Sequence, residues 1–498
     1  MRKITILFLF ISAVVNAGNY YVATDGSDAN SGTTLSSPFQ TISKACGIAV
    51  AGDHIFVRGG TYAYSSTISI SKSGTEALPI ILEGYSGERP LLDFSGTALG
   101  KRGFELKGNY WHMKGLDVCK AGDNGIFISG SNNTIEFCSF YENKDTGLQL
   151  GGGAHDNKML NCDSYWNADP TDYGDADGFA CKLDVGTNNY FYGCRAWLNV
   201  DDGWDGYMRG NNDVSTVLEN CWTWMNGYFK DGTNGGAVAN GNGFKMGGSD
   251  DKTLKHNFTL KNCVAFDNKA NGFDQNSNMG SMILYNCSSF RNLGKNYYIT
   301  KDLAAAKEAK VVNCLNYSGS VSLGSFVVQT TNSWMPAFTV TSEDFVSIDT
   351  TGVSSPRKAD GSLPDVPFLH LAKNSDLIDA GTDVGSTYLG SAPDLGAFEF
   401  DPATGIKDLL TDKLTVYFSG ENLIIDIGQQ VEKQTSFRLY TLNGQVVTQA
   451  QLHSARTVRN YGNLKVECTW SGFSPETIGY SGKLSGNYFS AKYMKDSN

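Results

Sequence analysis

Three aspartates crowd into five positions of the stretch NVDDGWDGY: Asp201, Asp202 and Asp205, wrapped around a glycine and a tryptophan. Ionised side by side they repel. Such a stretch is therefore a solvated turn or a place where something positive sits among the acids. Four segments align glycine on glycine: Asp177-Gly178-Phe179-Ala180, Asp202-Gly203-Trp204-Asp205, Asn242-Gly243-Phe244-Lys245 and Asn271-Gly272-Phe273-Asp274. Stacked on one another, they place Asp177 and Asp202 in one column. Asp205 and Lys245 then share the next outward column, and Asp201 flanks it. The phenylalanines and Trp204 point inward. A hard cation would relieve four neighbouring carboxylates. Ca²⁺ accepts six to eight oxygens in irregular geometry, whereas Mg²⁺ demands an octahedron. The patch has no histidine or cysteine, which disfavours zinc. A solvated acidic turn, or a calcium that only rivets coils together, is the plainer reading of the acids. Lys245 weighs against it, because an amine beside a divalent cation loses its proton more easily and becomes a general base.

That stacking requires a repeat, and the sequence contains one. Seven cysteines are followed five residues later by asparagine: Cys119/Asn124, Cys138/Asn143, Cys162/Asn167, Cys194/Asn199, Cys221/Asn226, Cys263/Asn268 and Cys287/Asn292. Short β-rich pieces precede the cysteines (TIEFC, NYFYGC, TVLENC, FTLKNC), and glycine with an apolar residue follows the asparagines. A repeat of this length, rich in strands and without helical periodicity, predicts a solenoid of coils ~4.8 Å apart, a parallel β-helix. Cysteine would stack inward as a small apolar residue. Asparagine would stack at a turn, where it tolerates the left-handed conformation. The segment SPFQTISKACGIAV (37–50) has helical spacing and would cap the first coil, and APDLGAFEF (392–400) reads as a closing strand.

Residues 1–17 have a charged start, an apolar run and a small-residue end, the pattern of a cleaved signal peptide. Residues 18–403 are assigned to the β-helix. Residues 404–452 alternate in period two like a small β-sandwich, and residues 453–498 suggest no fold. With 57 glycines, 18% charged residues and a net charge of −11, the chain suits an all-β protein and not one that grips nucleic acid or anionic membrane. No later stretch reads as a membrane span. The eleven cysteines form no zinc-type pairs and no disulfide scaffold spacing. DGSDANSGT (25–33) has the oxygens of a calcium loop, but a polar turn is favoured.

The motifs DADGFACKL, GCRAWLNVDDGWDGY, NGNGFKMGG and NCVAFDNKANGFDQN resemble family 9 of the polysaccharide lyases, β-helical pectate lyases, over roughly residues 19–400. The resemblance implies a right-handed parallel β-helix in which Asp177, Asp201, Asp202 and Asp205 bind a catalytic Ca²⁺ and Lys245 is the Brønsted base. It implies β-elimination on an acidic plant polysaccharide, pectate or the related rhamnogalacturonan. Arg209, Lys182 and Arg195 lie close in sequence and are candidate substrate contacts. The stretch LYTLNGQVV (439–447) resembles the carboxy-terminal sorting domains of type IX secretion substrates, in keeping with a secreted protein; a capped solenoid of this kind is expected to be a monomer. Two rivals remain. A β-helical hydrolase would use paired acids such as Asp201 and Asp202, but it would need a Gly-His-Gly element, which none of the six histidines provides. A non-catalytic binding β-helix would not need Lys245.

Overall fold

The computed structural model describes residues 17–401, and beyond them only the backbone of strands between 415 and 494. The expected leader therefore lies outside the described residues, apart from its last position. Residues 1–400 and 401–498 form two compact units.

The first unit is a parallel β-helix. Each coil lays one strand on each of three parallel sheets of 12, 10 and 10 strands. The first sheet runs from Asn19–Val22 to Val328–Thr330, the second from Gly60–Ala63 to Leu315–Tyr317, and the third from Ile68–Ile70 to Val321–Leu323. Parallel crossovers of this kind wind right-handed. The strands are short, mostly three to five residues, and those of the first sheet alternate buried inward side chains with half-exposed outward ones. The amino-terminal cap is the helix Ile42–Ile48, inside the expected 37–50 window. Thr41 Oγ1 accepts from the Lys44 backbone N–H at 3.1 Å, and Ile42, Ala45 and Cys46 close the end of the core. Asp28, from the 25–33 stretch, accepts from the backbone N–H groups of Gln40 and Thr41, which makes that stretch a turn fastening the cap.

The asparagine column is continuous. The side-chain amides of Asn143, Asn167, Asn199, Asn226 and Asn268 each donate to the carbonyl oxygen of the next asparagine at 2.8–3.0 Å, and Asn292 donates in turn to Asn296 at 2.9 Å. Inside, Cys138, Cys162, Cys194, Cys221, Cys263, Cys287 and Cys314 are buried and unbridged. Two expectations need correction. The Cys119/Asn124 pair is not a copy of the repeat: Cys119 pairs with Tyr141, so Leu116 holds the place before the strand that Cys138 holds one coil later. The stacked asparagines are also not the left-handed residues. Those are the positions just before them, Glu142, Trp166, Leu198, Met225, Asp267 and Arg291, with φ of 50–61°. A second left-handed column immediately precedes the cysteines and holds Asn161, Asn220, Asn262, Asn286 and Asn313.

Segment 392–400 contains no strand. Residues 338–400 instead run as an irregular strap over the outer face of the second sheet. There Tyr165, Trp197, Trp224 and Phe266 stack ring on ring at 4.3, 4.8 and 5.5 Å, and Phe345, Phe368, Leu371, Leu377 and Leu395 cover part of that apolar face. In the second unit, Thr415–Ser419, Asn422–Asp426 and Arg456–Asn460 form one antiparallel sheet. Val446–Leu452, Thr435–Thr441, Asn487–Met494, Thr477–Leu484 and Val466–Trp470 form another, in that order. Strands of the 453–498 tail thus pair with strands of the 404–452 segment.

Candidate active site

The register of the third sheet sets the site. Phe179 pairs with Trp204, Trp204 with Phe244, and Phe244 with Phe273, while Ala180, Asp205, Lys245 and Asp274 succeed one another in the adjacent outward position. The inward rings stack at 4.8, 4.9 and 5.1 Å and fix each strand's height. Glycine just before each ring lets the coils close. A Cβ on Gly203 would meet Thr223 Oγ1 at 2.0 Å and the Gly243 carbonyl oxygen at 2.6 Å. The residue before that glycine sits at the exit of a tight turn and points into the patch. Asp177 and Asp202 occupy this position, and Thr146, Asn242 and Asn271 occupy it on neighbouring coils.

Asp177, Asp201 and Asp202 each present a carboxylate oxygen within 4.8 Å of the others, and all three are buried. Their remaining bonds orient them. Asp202 Oδ1 accepts from the Asn242 backbone and side-chain N–H groups at 2.7 and 2.9 Å. Asp201 Oδ1 accepts from the Asn240 backbone N–H at 2.6 Å, and Asp177 Oδ1 from that of Asp202 at 3.2 Å. Asp205 Oδ1 accepts from the Tyr207 backbone N–H at 3.0 Å. Lys245 Nζ lies 2.9 Å from Asp202 Oδ2 and 3.4 Å from Asp205 Oδ1.

Burial pushes the carboxyls of Asp177, Asp201 and Asp202 above the usual range. Their mutual repulsion adds to this, and the nearby amines only partly offset it. Asp205 is also buried, but Lys245 and Lys182 outweigh that burial and hold it below the usual range. Burial disfavours a charged Lys245, but Asp202, Asp205, Asp201 and Asp177 together raise its pKa well above that of an ordinary lysine. Asp202 Oδ2 is held by Lys245 Nζ and by no backbone N–H. Three buried carboxylates that each bring an oxygen within ligand range of the others are a donor set that fits a hard divalent cation.

The three basic residues named from sequence separate sharply. Lys182 is inside the cluster, 7% exposed, with Nζ 2.6 Å from Asp177 Oδ2 and 3.7 Å from Asp205 Oδ2. Arg209 is exposed, 3.3 Å from Asp250 Oδ2, with its guanidinium 5.7 Å from the Tyr207 ring centroid. Arg195 is not at the site, and the expectation that it contacts substrate does not hold. It is 2% exposed, grips Asp163 at 2.8 and 2.9 Å, and donates to the carbonyls of Val353 and Ser355 in the strap. Two residues at the site were not assigned from sequence. Asp274 follows Lys245 in the outward column, and burial pushes its carboxyl up to about 6. The ring of Tyr207 lies 5.7 Å from Lys245 Nζ. The glycine alignment already placed Asp274 in that column; nothing in the local pattern pointed to Tyr207.

Residues 20–313 match a family described as Pel9A-like, right handed beta helix region. The chain is 38% identical over 394 residues to pectate lyase L of Dickeya chrysanthemi, covering 76% of this chain and 90% of that relative. The crystal structure of pectate lyase Pel9A superposes with a TM-score of 0.72 at 36% identity, covering 78% of this chain and 98% of the other. A rhamnogalacturonan lyase superposes with a TM-score of 0.63 at 27% identity, covering 72% and 97%.

Proposed function

From the premise that the chain belongs to the Pel9A-like right-handed β-helix family and is a polysaccharide lyase, we propose that it cleaves pectate by calcium-dependent β-elimination with Lys245 as the base. The observation that carries this reading is the contact of one lysine amine with two of four clustered carboxylates. Asp177, Asp201, Asp202 and Asp205 would hold Ca²⁺. Bound there, the ion draws charge from the carboxylate of a galacturonate unit and favours loss of the neighbouring C5 proton. Neutral Lys245 takes that proton, the C5–H electron pair forms the C4–C5 double bond of one new chain end as the C4–O4 bond breaks, and the departing oxygen takes a proton from water to become the hydroxyl of the other.

The ion-free cluster keeps Lys245 protonated. The base form therefore requires the charge of the acids to be offset by something other than Lys245, and an alkaline optimum follows. Lys182 is committed to Asp177 and supplies no second free base. Arg209 is the remaining candidate for a contact with a substrate carboxylate, beside Tyr207. A chain with a net charge of −11 needs such bridging to hold a polyanion.

The test is the ultraviolet absorbance of an unsaturated product from polygalacturonate, with and without chelator. A lyase gives absorbance that chelator removes. A hydrolase gives reducing ends without absorbance, and a binding protein gives neither. The similarity to a rhamnogalacturonan lyase supports a second reading, the same chemistry on alternating rhamnose and galacturonate; the two polymers compared in the same assay decide between them. We also infer export directed by residues 1–17 and action on the polymer as a monomer. Among the described residues, no helix is long and apolar enough to cross a membrane.

A further inference from the structure

Two amines, not one, flank Asp205, and each faces a different oxygen. Lys245 Nζ lies 3.4 Å from Oδ1 and Lys182 Nζ 3.7 Å from Oδ2. Their surroundings differ. Lys182 follows the strand Phe179–Cys181 and turns back into the cluster. There it donates to Asp177 Oδ2 at 2.6 Å and to the Asp175 carbonyl oxygen at 3.3 Å. Two of its three donors are taken by these bonds, Asp205 Oδ2 stands 3.7 Å away on the remaining side, and the side chain is only 7% exposed. It has no free face for a polysaccharide, and it sits on two of the four carboxylates that the proposed function gives to calcium.

Resting on that reading, we propose that Lys182 is a built-in competitor for the divalent cation: a positioning residue that holds Asp177 and Asp205 in register before the ion arrives and weakens the affinity with which it binds. Four buried carboxylates without a fixed cation would repel one another and splay. One permanent ammonium among them lets the ion-free coils close. The same positive charge opposes a second cation a few ångströms away in a poorly screened site. The ion then binds more weakly than the acid count alone would allow. Lys245 differs from Lys182 in its partners: it lies against the side chains of Asp202 and Asp205, whereas Lys182 is also tied to the Asp175 carbonyl oxygen.

The test uses the full chain and calcium chloride alone, without polysaccharide. Calorimetric titration gives the calcium Kd, and thermal unfolding is followed in chelator and in saturating calcium, for the natural chain, Lys182→Met and Lys182→Gln. The expected result is a calcium Kd at least about tenfold lower in Lys182→Met, a lower unfolding midpoint in chelator, and a larger rise in midpoint on adding calcium. Lys182→Gln keeps a donor for Asp177 without the charge; it shows the same tightening and carries the measurement if the methionine variant does not fold. An unchanged or weaker calcium affinity in the variant that folds overturns the proposal, because Lys182 would then only brace the coils. A natural chain that takes up no calcium overturns the proposed function instead.

Discussion

Two clusters of buried charge sit on different faces of neighbouring coils, and they are built to opposite ends. On the second sheet, Asp163 receives both Arg195, at 2.8 and 2.9 Å, and Arg357, at 2.7 and 3.2 Å. Burial opposes its ionisation, but the two guanidiniums outweigh it and bring the carboxyl down to about 2. Their spare donors go to the Cys162, Val353, Ser355 and Gly361 carbonyls. On the third sheet, four aspartates share two lysines, and three of the acids are pushed up. The first cluster is complete within the protein and pins the strap to the β-helix. The second is short of positive charge. A buried cluster that the protein leaves under-compensated has room for a ligand that supplies the missing charge.

The contrast breaks most visibly at Asp202. Asp202→Asn should abolish calcium binding and lower the elimination rate by roughly a thousandfold or more, with the unfolding midpoint in chelator unchanged or raised. A loss of fold in chelator would mean that Asp202 serves the coils as Asp163 does. Asp163→Ala, in contrast, strands two buried guanidiniums and should destabilise the first unit by about 3–5 kcal/mol, read as a lower denaturation midpoint. Calcium affinity should stay the same.

Neither outcome could be told from local sequence alone. Lys182 and Arg195 are both basic residues near the acid motif, yet one points into the cluster and the other into the strap. The strap has no repeat, so nothing in residues 338–400 announces that they cover the aromatic column of the second sheet. The register around Asp205 and Lys245 was legible because glycine is required where a Cβ would strike the next coil, and that requirement marks the same position on successive coils from Gly103 to Gly272. The cysteine–asparagine spacing was legible for a similar reason, except at Cys119. There the spacing recurs out of register, and an isolated match cannot show which strand it belongs to.

A subtler difference lies in pH. Asp177, Asp201 and Asp202 have folded-state pKa values above their unfolded ones, so in chelator they should erode stability as pH rises above about 4. Calcium should cancel that slope. Asp163, with its folded-state value below the unfolded one, contributes fully above about pH 4 and loses its contribution only as pH falls toward 2. Unfolding midpoints measured across pH with and without calcium separate the two. A calcium-independent slope above pH 4 would remove the distinction. The smallest effect is expected at exposed Arg209, where Arg209→Ala should raise KM by about fivefold or less with kcat retained. A fall in kcat alone would place it closer to the reacting bond than its exposure suggests.

The most direct measurement takes Lys245→Ala and records two quantities on one preparation: calcium uptake by calorimetry, and unsaturated product from polygalacturonate at saturating calcium. Calcium uptake is expected to be as strong as that of the natural chain or stronger, with product formation reduced by about 10²–10⁴-fold, the range of a lost general base. Full product formation by this variant would contradict the role of Lys245 as the base.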